Sequence, residues 1–284
     1  KFVPCRGACA WCSSGLRGST MYASGEGAAE PPEEFSNHIY VRLVVPSTVP
    51  CLKLLCVSDT HDQHMFMPCT LPCADILVHA GDFTCRGASD ELQSFRSWID
   101  ALLSDGTVQD VVFIAGNHEL SLELKAKHAA VRRAQEKLKD TLTSGDHIHY
   151  LEDSGCEIRD LRFFGSPWCT RFGRDWAFQL SDTPDELGSR YALVPDDVHV
   201  LVTHQPPLGQ GDTCVDTRRG SGTLWDRVCT TRPLIHIFGH LHAGHGVWSH
   251  ESCPTLFVNA AVCDEDYKPV QKPILVEFVH DAVI

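Results

Sequence analysis

An α/β fold with mixed β-sheet is what this sequence predicts. Five apolar runs of strand length each stop on a side chain able to bind a metal. These are Leu54–Val57 before Asp59 and His61, Ile76–Ala80 before Gly81-Asp82, Val111–Ala115 before Asn117-His118, Val198–Val202 before His204, and Leu234–Phe238 before His240 and His242. Open α/β sheets build their sites at such carboxyl ends of strands. The second and third runs are joined by a helical pattern, which makes a strand, helix, strand unit. Gly145–Gly165 instead holds short alternating segments that read as hairpin strands, so the sheet is not purely parallel. At 284 residues and 43% hydrophobic content the chain can bury one large core or two small ones.

Residues 1–36 are rich in Gly, Ser, Ala, Glu and Pro without an apolar period, and are expected to be a disordered extension preceding a domain at 37–284. His38–Val45 alternates as a strand, and Pro46–Pro50 then turns the chain into the first apolar run. Ser89-Asp90-Glu91 begins a helix with acids in its first turn. Leu92, Phe95, Ile99, Leu102 and Leu103 continue it until Asp105-Gly106. Ser121–Leu142, rich in Ala, Lys, Glu and Leu, reads as helix, and Gly220–Val228 as a short helix. Thr255–Ala261 and Pro273–Val279 supply closing strands. Phe164–Phe178 carries Trp168, Phe172, Trp176 and Phe178 with Arg171 and Arg174. It suits either a cleft lining or an aromatic minicore with solvated arginines. No internal repeat or interdomain linker follows residue 50.

Lys and Arg total 24 against 37 Asp and Glu, a formal charge of −13 that argues against binding nucleic-acid polymers or anionic membranes. No run approaches the roughly 18 apolar residues of a membrane span. The fourteen cysteines are scattered, several within apolar runs, and read as reduced core thiols, which places the protein in the cytoplasm. Cys5, Cys9, Cys12, Cys69 and Cys73 could imitate zinc spacing, although no regularly spaced second pair supports it. The chain starts at Lys1, so a preceding leader stays open.

The strand ends supply the parts of a two-metal centre. Asp82 is placed to bridge two ions. Asp59 with His61, and His240 with His242, are pairs two residues apart, while Asn117 offers an amide oxygen and His204 an imidazole. Two carboxylates facing two divalent ions leave a site of about +2, or about +1 with a hydroxide bound. An acidic protein would thereby keep one electrophilic pocket for phosphate esters, in which a hydroxide between the metals attacks phosphorus. His118, next to Asn117, could protonate the leaving oxygen.

Each piece is weak alone, since Asp-x-His and Gly-Asp are common turns; the joint order carries the reading. Ser58-Asp59-Thr60-His61, Ala80-Gly81-Asp82-Phe83-Thr84, Gly116-Asn117-His118-Glu119, Gly165-Ser166-Pro167-Trp168, Thr203–Gly209 and Phe238–His242 together resemble the calcineurin-like metallophosphoesterase superfamily from about Leu52 to Phe278. Within it they resemble the metallophosphoesterase domain-containing, cyclic-nucleotide phosphodiesterase-like group. The resemblance implies a four-layer α/β/β/α sandwich with two mixed β-sheets. It also implies two divalent ions, manganese first, with iron, zinc or cobalt as alternatives. Asp59, His61, Asp82 and His242 would hold one; Asp82, Asn117, His204 and His240 the other; His118 would be the acid. The expected activity is hydrolysis of small phosphodiesters such as cyclic nucleotides. The alternatives are a phosphomonoesterase or phosphoprotein phosphatase, and a weakly active nucleotide-binding scaffold; oligomeric state stays open. His64 and His245 are expected at the rim or behind the ligands, and Arg218 and Arg219 either solvated or on a substrate phosphate.

Overall fold

The computed structural model describes residues 21–22, 39–123, 128–214 and 217–280. The predicted extension, 1–36, therefore lies outside the described residues apart from Met21–Tyr22. In chain order the first strands are β1 (Met21–Tyr22), β2 (Ile39–Val44), β3 (Lys53–Val57), β4 (Ile76–His79), β5 (Asp110–Ile114), β6 (Ile148–Leu151), β7 (Ser154–Ile158) and β8 (Leu161–Ser166). There follow β9 (Cys169–Thr170), β10 (Gln179–Leu180), β11 (Val200–Thr203), β12 (Thr213–Cys214), β13 (Thr217–Arg218), β14 (Ile235–Phe238), β15 (Gly246–His250), β16 (Cys253–Asn259) and β17 (Ile274–Val279). The α-helices are α1 (Ser89–Ser104), α2 (Ala129–Thr143), α3 (Leu187–Tyr191) and α4 (Gly222–Thr231).

Among the described residues, beside the two-stranded pairs β9–β10 and β12–β13, two large sheets form, in the orders β1-β2-β17-β3-β4-β5-β6 and β15-β16-β14-β11-β8-β7. Both are mixed: β17 is antiparallel to β3, and β7–β8 and β15–β16 are antiparallel pairs, whereas β3, β4, β5 and β6 run parallel, as do β8, β11, β14 and β16. The period of two along each strand builds three apolar layers. Leu54, Cys56, Val78 and Ile114 meet Val202, Ile237 and Val258 between the sheets. On the outer face of the first sheet, Leu55, Leu77 and Phe113 pack on Phe95, Trp98 and Ile99 of α1. On that of the second, Leu201 and Phe257 pack on Leu187 and Tyr191 of α3 and Leu224 and Val228 of α4. The architecture is the expected four-layer α/β/β/α sandwich.

Two local expectations need correction, and one that held two readings is decided. The helix expected over 121–142 begins at Ala129. Ser121–Glu123 form a turn, and Glu123 is tied to the Phe178 N–H (2.7 Å) instead of opening a helix; 124–127 lie outside the described residues. Within Gly145–Gly165 only β7 and β8 are a hairpin. β6 pairs in parallel with β5, so the chain crosses from one sheet to the other between Leu151 and Ser154. His64 is buried rather than at the rim: Nε2 lies 3.1 Å from Ser94 Oγ and the ring packs 5.2 Å from Trp98. The eleven described cysteines are free thiols; Cys5, Cys9 and Cys12 lie outside the described residues. Among the described residues no helix is long and apolar enough to cross a membrane.

Candidate metal centre

All five ligand-bearing strand ends meet at one edge of the sandwich, and backbone bonds lace them together. Asp59 N donates to Gly81 O (3.0 Å) and His61 N to Asp82 O (3.0 Å), joining the ends of β3 and β4. His118 N donates to Asp82 Oδ1 (2.8 Å), and His240 N to Asp59 Oδ2 (2.9 Å), bringing in the ends of β5 and β14. Such close approach needs residues without side chains. A Cβ at Gly116 would run into Asp82 Oδ1 and His204, and one at Gly239 into Asp59 Oδ2 and Ser58. Asp59, His61, Asp82 and His240 all adopt left-handed backbone, with φ of 53°, 44°, 54° and 66°. Each such residue costs on the order of 1–3 kcal/mol, and such strain persists only where surrounding structure over-determines it.

The side chains gather in two groups. Ligand atoms of Asp59, His61 and His242 lie within 4.8 Å of one another, as do those of Asp82, His204 and His240. His61, Asp82 and His118 form a third set within the same limit. Asn117 joins the second group, its Oδ1 3.0 Å from His204 Nε2. Each of the seven expected ligands and His118 is therefore in one cluster, and Asp59, His61, Asp82, Asn117 and His204 are buried.

The imidazoles are oriented for metal. His61 Nδ1 donates to Thr84 O (3.3 Å), His204 Nδ1 to Ala80 O (3.0 Å) and His242 Nδ1 to Asp264 O (2.7 Å). A carbonyl only accepts, so each Nδ1 carries hydrogen and each Nε2 turns its lone pair inward. Those lone pairs then face other acceptors: His61 Nε2 lies 3.3 Å from His242 Nε2, and His204 Nε2 3.0 Å from Asn117 Oδ1. Acceptors opposed at such distances require a cation between or beside them. With protons alone to fill the role, burial opposes charge on His204 but Asp82 (3.2 Å) pulls its pKa up to about 9. Burial likewise opposes charge on His242, yet Asp59 (3.4 Å) holds it up at about 8. Burial pushes His61 down to about 4 and His240 to about 3. Asp59 and Asp82 stay ionised: burial works against them, but His242 and His204 hold both below the usual carboxylate range. This donor set fits divalent cations.

Glu119, quoted in the Gly-Asn-His-Glu stretch without a role, is the internal tie of this edge. Fully buried, it accepts from Asp82 N (3.0 Å), Thr84 N (2.9 Å), Thr84 Oγ1 (2.8 Å) and Gly116 N (2.6 Å). Burial and Asp82 push its pKa up to about 8 against the donors of Gly116 and Thr84.

Above the cluster opens a cleft of about 440 Å³, lined among others by Arg171, Phe172, Trp176, Arg219, Glu265 and Tyr267. The aromatic stretch divides between the two readings it allowed. Phe172 and Trp176 line the cleft, whereas Trp168 and Phe178 pack on each other (5.4 Å) beneath it. Arg219 lines the cleft, but Arg218 turns to Asp212 (3.6 Å). His245 is half-buried beside the Ala261 backbone and outside the three groups. Tyr267 was not foreseen. Its ring stands edge-on to His61 (4.7 Å), yet it sits in the polar run Asp264–Lys268, which has no motif to mark it.

Residues 52–244 match the calcineurin-like phosphoesterase family. Human metallophosphoesterase domain-containing protein 1 is 32% identical over 279 residues, 91% of this chain and 80% of that protein. A UPF0046 protein of Caenorhabditis elegans is 35% identical over 228 residues, 80% of this chain and 75% of its own length. Among solved structures, the phosphopantetheinyl hydrolase of Mycobacterium tuberculosis shares the fold, with a TM-score of 0.50 at 18% identity, covering 81% of this chain and 96% of its own. By sequence and by architecture, this chain belongs to the calcineurin-like phosphoesterase family, hydrolases of phosphoric esters.

Proposed function

We propose that the protein is a phosphodiesterase for small diesters such as cyclic nucleotides, dependent on two divalent cations, with manganese the first choice. Asp59, His61, Asp82 and His242 would hold one cation, and Asp82, Asn117, His204 and His240 the other, with Asp82 shared. The observation that carries this is the pair of converging acceptor groups, three of whose imidazoles are fixed by backbone carbonyls. Bound cations would supply the positive charge that an attacking water and the phosphoryl oxygens need.

The chain's own residues do the rest. His118 Nδ1 is held by the Cys85 carbonyl (2.6 Å), so Nε2 is the atom presented toward Asp82 and the cleft, placed to give a proton to the leaving oxygen. Phe172, Trp176 and Tyr267 give the cleft an apolar wall suited to an ester's organic group. A diester has two such groups and a single negative charge, which favours it at a rim that also carries Glu265. The rim cations Arg171 and Arg219 favour the second reading, a phosphomonoesterase, since a monoester is a dianion. Protein loaded with manganese should hydrolyse bis(4-nitrophenyl) phosphate faster than 4-nitrophenyl phosphate, and Asp82→Ala should lower turnover about a thousandfold or more, with loss of bound metal. Equal turnover by that variant would reject the centre; preference for the monoester would select the second reading.

A further inference from the structure

Trp176 and the two residues after Thr84 ligate nothing, yet they enclose the proposed acid. The Trp176 indole lies along the His118 imidazole, with centroids 4.3 Å apart and planes inclined by 32°. The Arg86 guanidinium carbon is 5.0 Å from the centre of the Trp176 ring, and the Cys85 carbonyl accepts from His118 Nδ1. His61 packs edge-on to the same imidazole at 4.5 Å.

Both sides of this assembly are anchored. Ala177 N donates to Asn117 O (2.9 Å), which sets residue 176 beside residue 118; Gln179 Nε2 donates to Trp176 O (3.1 Å). On the other side the Glu91 carboxylate, in the first turn of α1, accepts from Cys85 N (3.2 Å), Arg86 N (3.1 Å) and Ala88 N (2.8 Å). The carbonyl and the guanidinium are thus carried on a helix start, and the indole on a loop pinned to the metal edge.

The geometry points to Trp176 as a positioning residue for His118: its flat face, with the Cys85 carbonyl, fixes the imidazole plane so that Nε2 meets the leaving oxygen. This inference rests on the proposed phosphodiester hydrolysis. In that step a water oxygen bonds to phosphorus as the P–O bond to the leaving group breaks. The leaving oxygen takes the proton from Nε2, and the proton lost by the water passes to solvent, from which His118 is recharged. An indole face restrains ring rotation and also tolerates the charged imidazolium, because its π-cloud attracts cations.

The proposal predicts dependence on the leaving group. Methyl 4-nitrophenyl phosphate releases a stable anion that needs little help, whereas methyl phenyl phosphate needs the proton. Since a misplacement of about 1 Å can cost about a hundredfold, Trp176→Leu should lower kcat for the phenyl ester roughly 10- to 100-fold and for the nitrophenyl ester about threefold. Bound manganese should not change, KM should change alike for both esters, and Trp176→Phe should restore most of the phenyl-ester rate. His118→Ala serves as the reference and should show the same dependence more strongly. Equal losses on the two esters, or a change confined to KM, would overturn the positioning role while leaving the proposed function standing. A His118→Ala variant with no leaving-group dependence would overturn the acid and with it the positioning role, again leaving the hydrolysis itself standing; absence of turnover by the parent protein would overturn both.

Discussion

The floor and the rim of the cleft are built by opposite means. On the floor, Asp59 and His204 are 0% exposed, four candidate ligands sit on left-handed backbone, and neighbouring strand ends approach so closely that only glycine fits at 116 and 239. At the rim, Phe172 is 54% and Tyr267 47% exposed, and the cations come from Arg171 and Arg219 on loops. Strain and burial are concentrated where lone pairs must converge to within an ångström or so. Exposed side chains occupy the places where, on the proposed function, an ester's organic part would be accommodated. The difference separates what makes a phosphoesterase from what selects its substrate.

The largest effect should come from disturbing the floor without removing any ligand. Gly239→Ala puts a methyl group against Asp59 Oδ2 and Ser58, so the carboxylate must move. We expect bound metal to fall below two ions per chain and diester turnover to drop about a hundredfold or more, given the sensitivity of positioned groups to small shifts. Elemental analysis with initial rates checks this. A variant with full metal content and full rate would show that the close packing at this edge is not what holds the centre.

A second, intermediate effect concerns protons. His236 on β14 lies behind the centre, fully buried, and burial pushes its pKa down to about 3. The Thr203 hydroxyl donates to Gln205 O (2.7 Å), so His236 Nε2 must donate to Thr203 Oγ1 (2.8 Å), and the ring is neutral. Unfolded, the same histidine titrates near 6.5. The unfolded chain therefore binds more protons between about pH 3 and 6.5, and stability falls as pH drops through that window. At pH 5 one such group costs about 2 kcal/mol relative to pH 7.5. Urea midpoints of metal-free protein at the two pH values, for the parent and for His236→Phe, read this directly. The variant should lose about one proton's share of the pH slope, whereas an unchanged slope would mean that the ring is charged or solvated in the folded state.

The same contrast explains what could be read from the sequence. Floor residues were legible because five apolar runs in one chain each stop on a potential metal ligand; any one such ending is a common turn, but the five together have few purely structural explanations. The layers followed from strand periodicity. Two floor features stayed hidden. His79 and His236 sit inside apolar runs, where nothing marks a buried neutral imidazole, and the four bonds of Glu119 join segments brought together only by folding. At the rim, the split of Phe172 and Trp176 from Trp168 and Phe178 depends on the short β9–β10 pairing, which has no hydrophobic period. The helix over-extended to Ser121 failed for a related reason: composition favours helix there, but the chain is still occupied in tying Glu123 to the rim loop.

The smallest effect should lie at the rim. Arg219 is exposed, and its Nε donates to Thr217 Oγ1 (3.1 Å), so the guanidinium is held at the cleft edge without being buried. An exposed cation facing a phosphate contributes up to about 1 kcal/mol and is screened by salt. Arg219→Gln should therefore raise KM about threefold at low ionic strength, leave kcat within about a factor of two, and approach the parent at about 0.5 M salt. The shift should be larger for a monoester dianion than for a diester, because the Coulomb energy scales with ligand charge. Steady-state kinetics on both esters at two salt concentrations decides the matter. A loss in kcat that salt does not relieve would place Arg219 with the floor, and the division between a strained, buried centre and an exposed rim would fail at that residue.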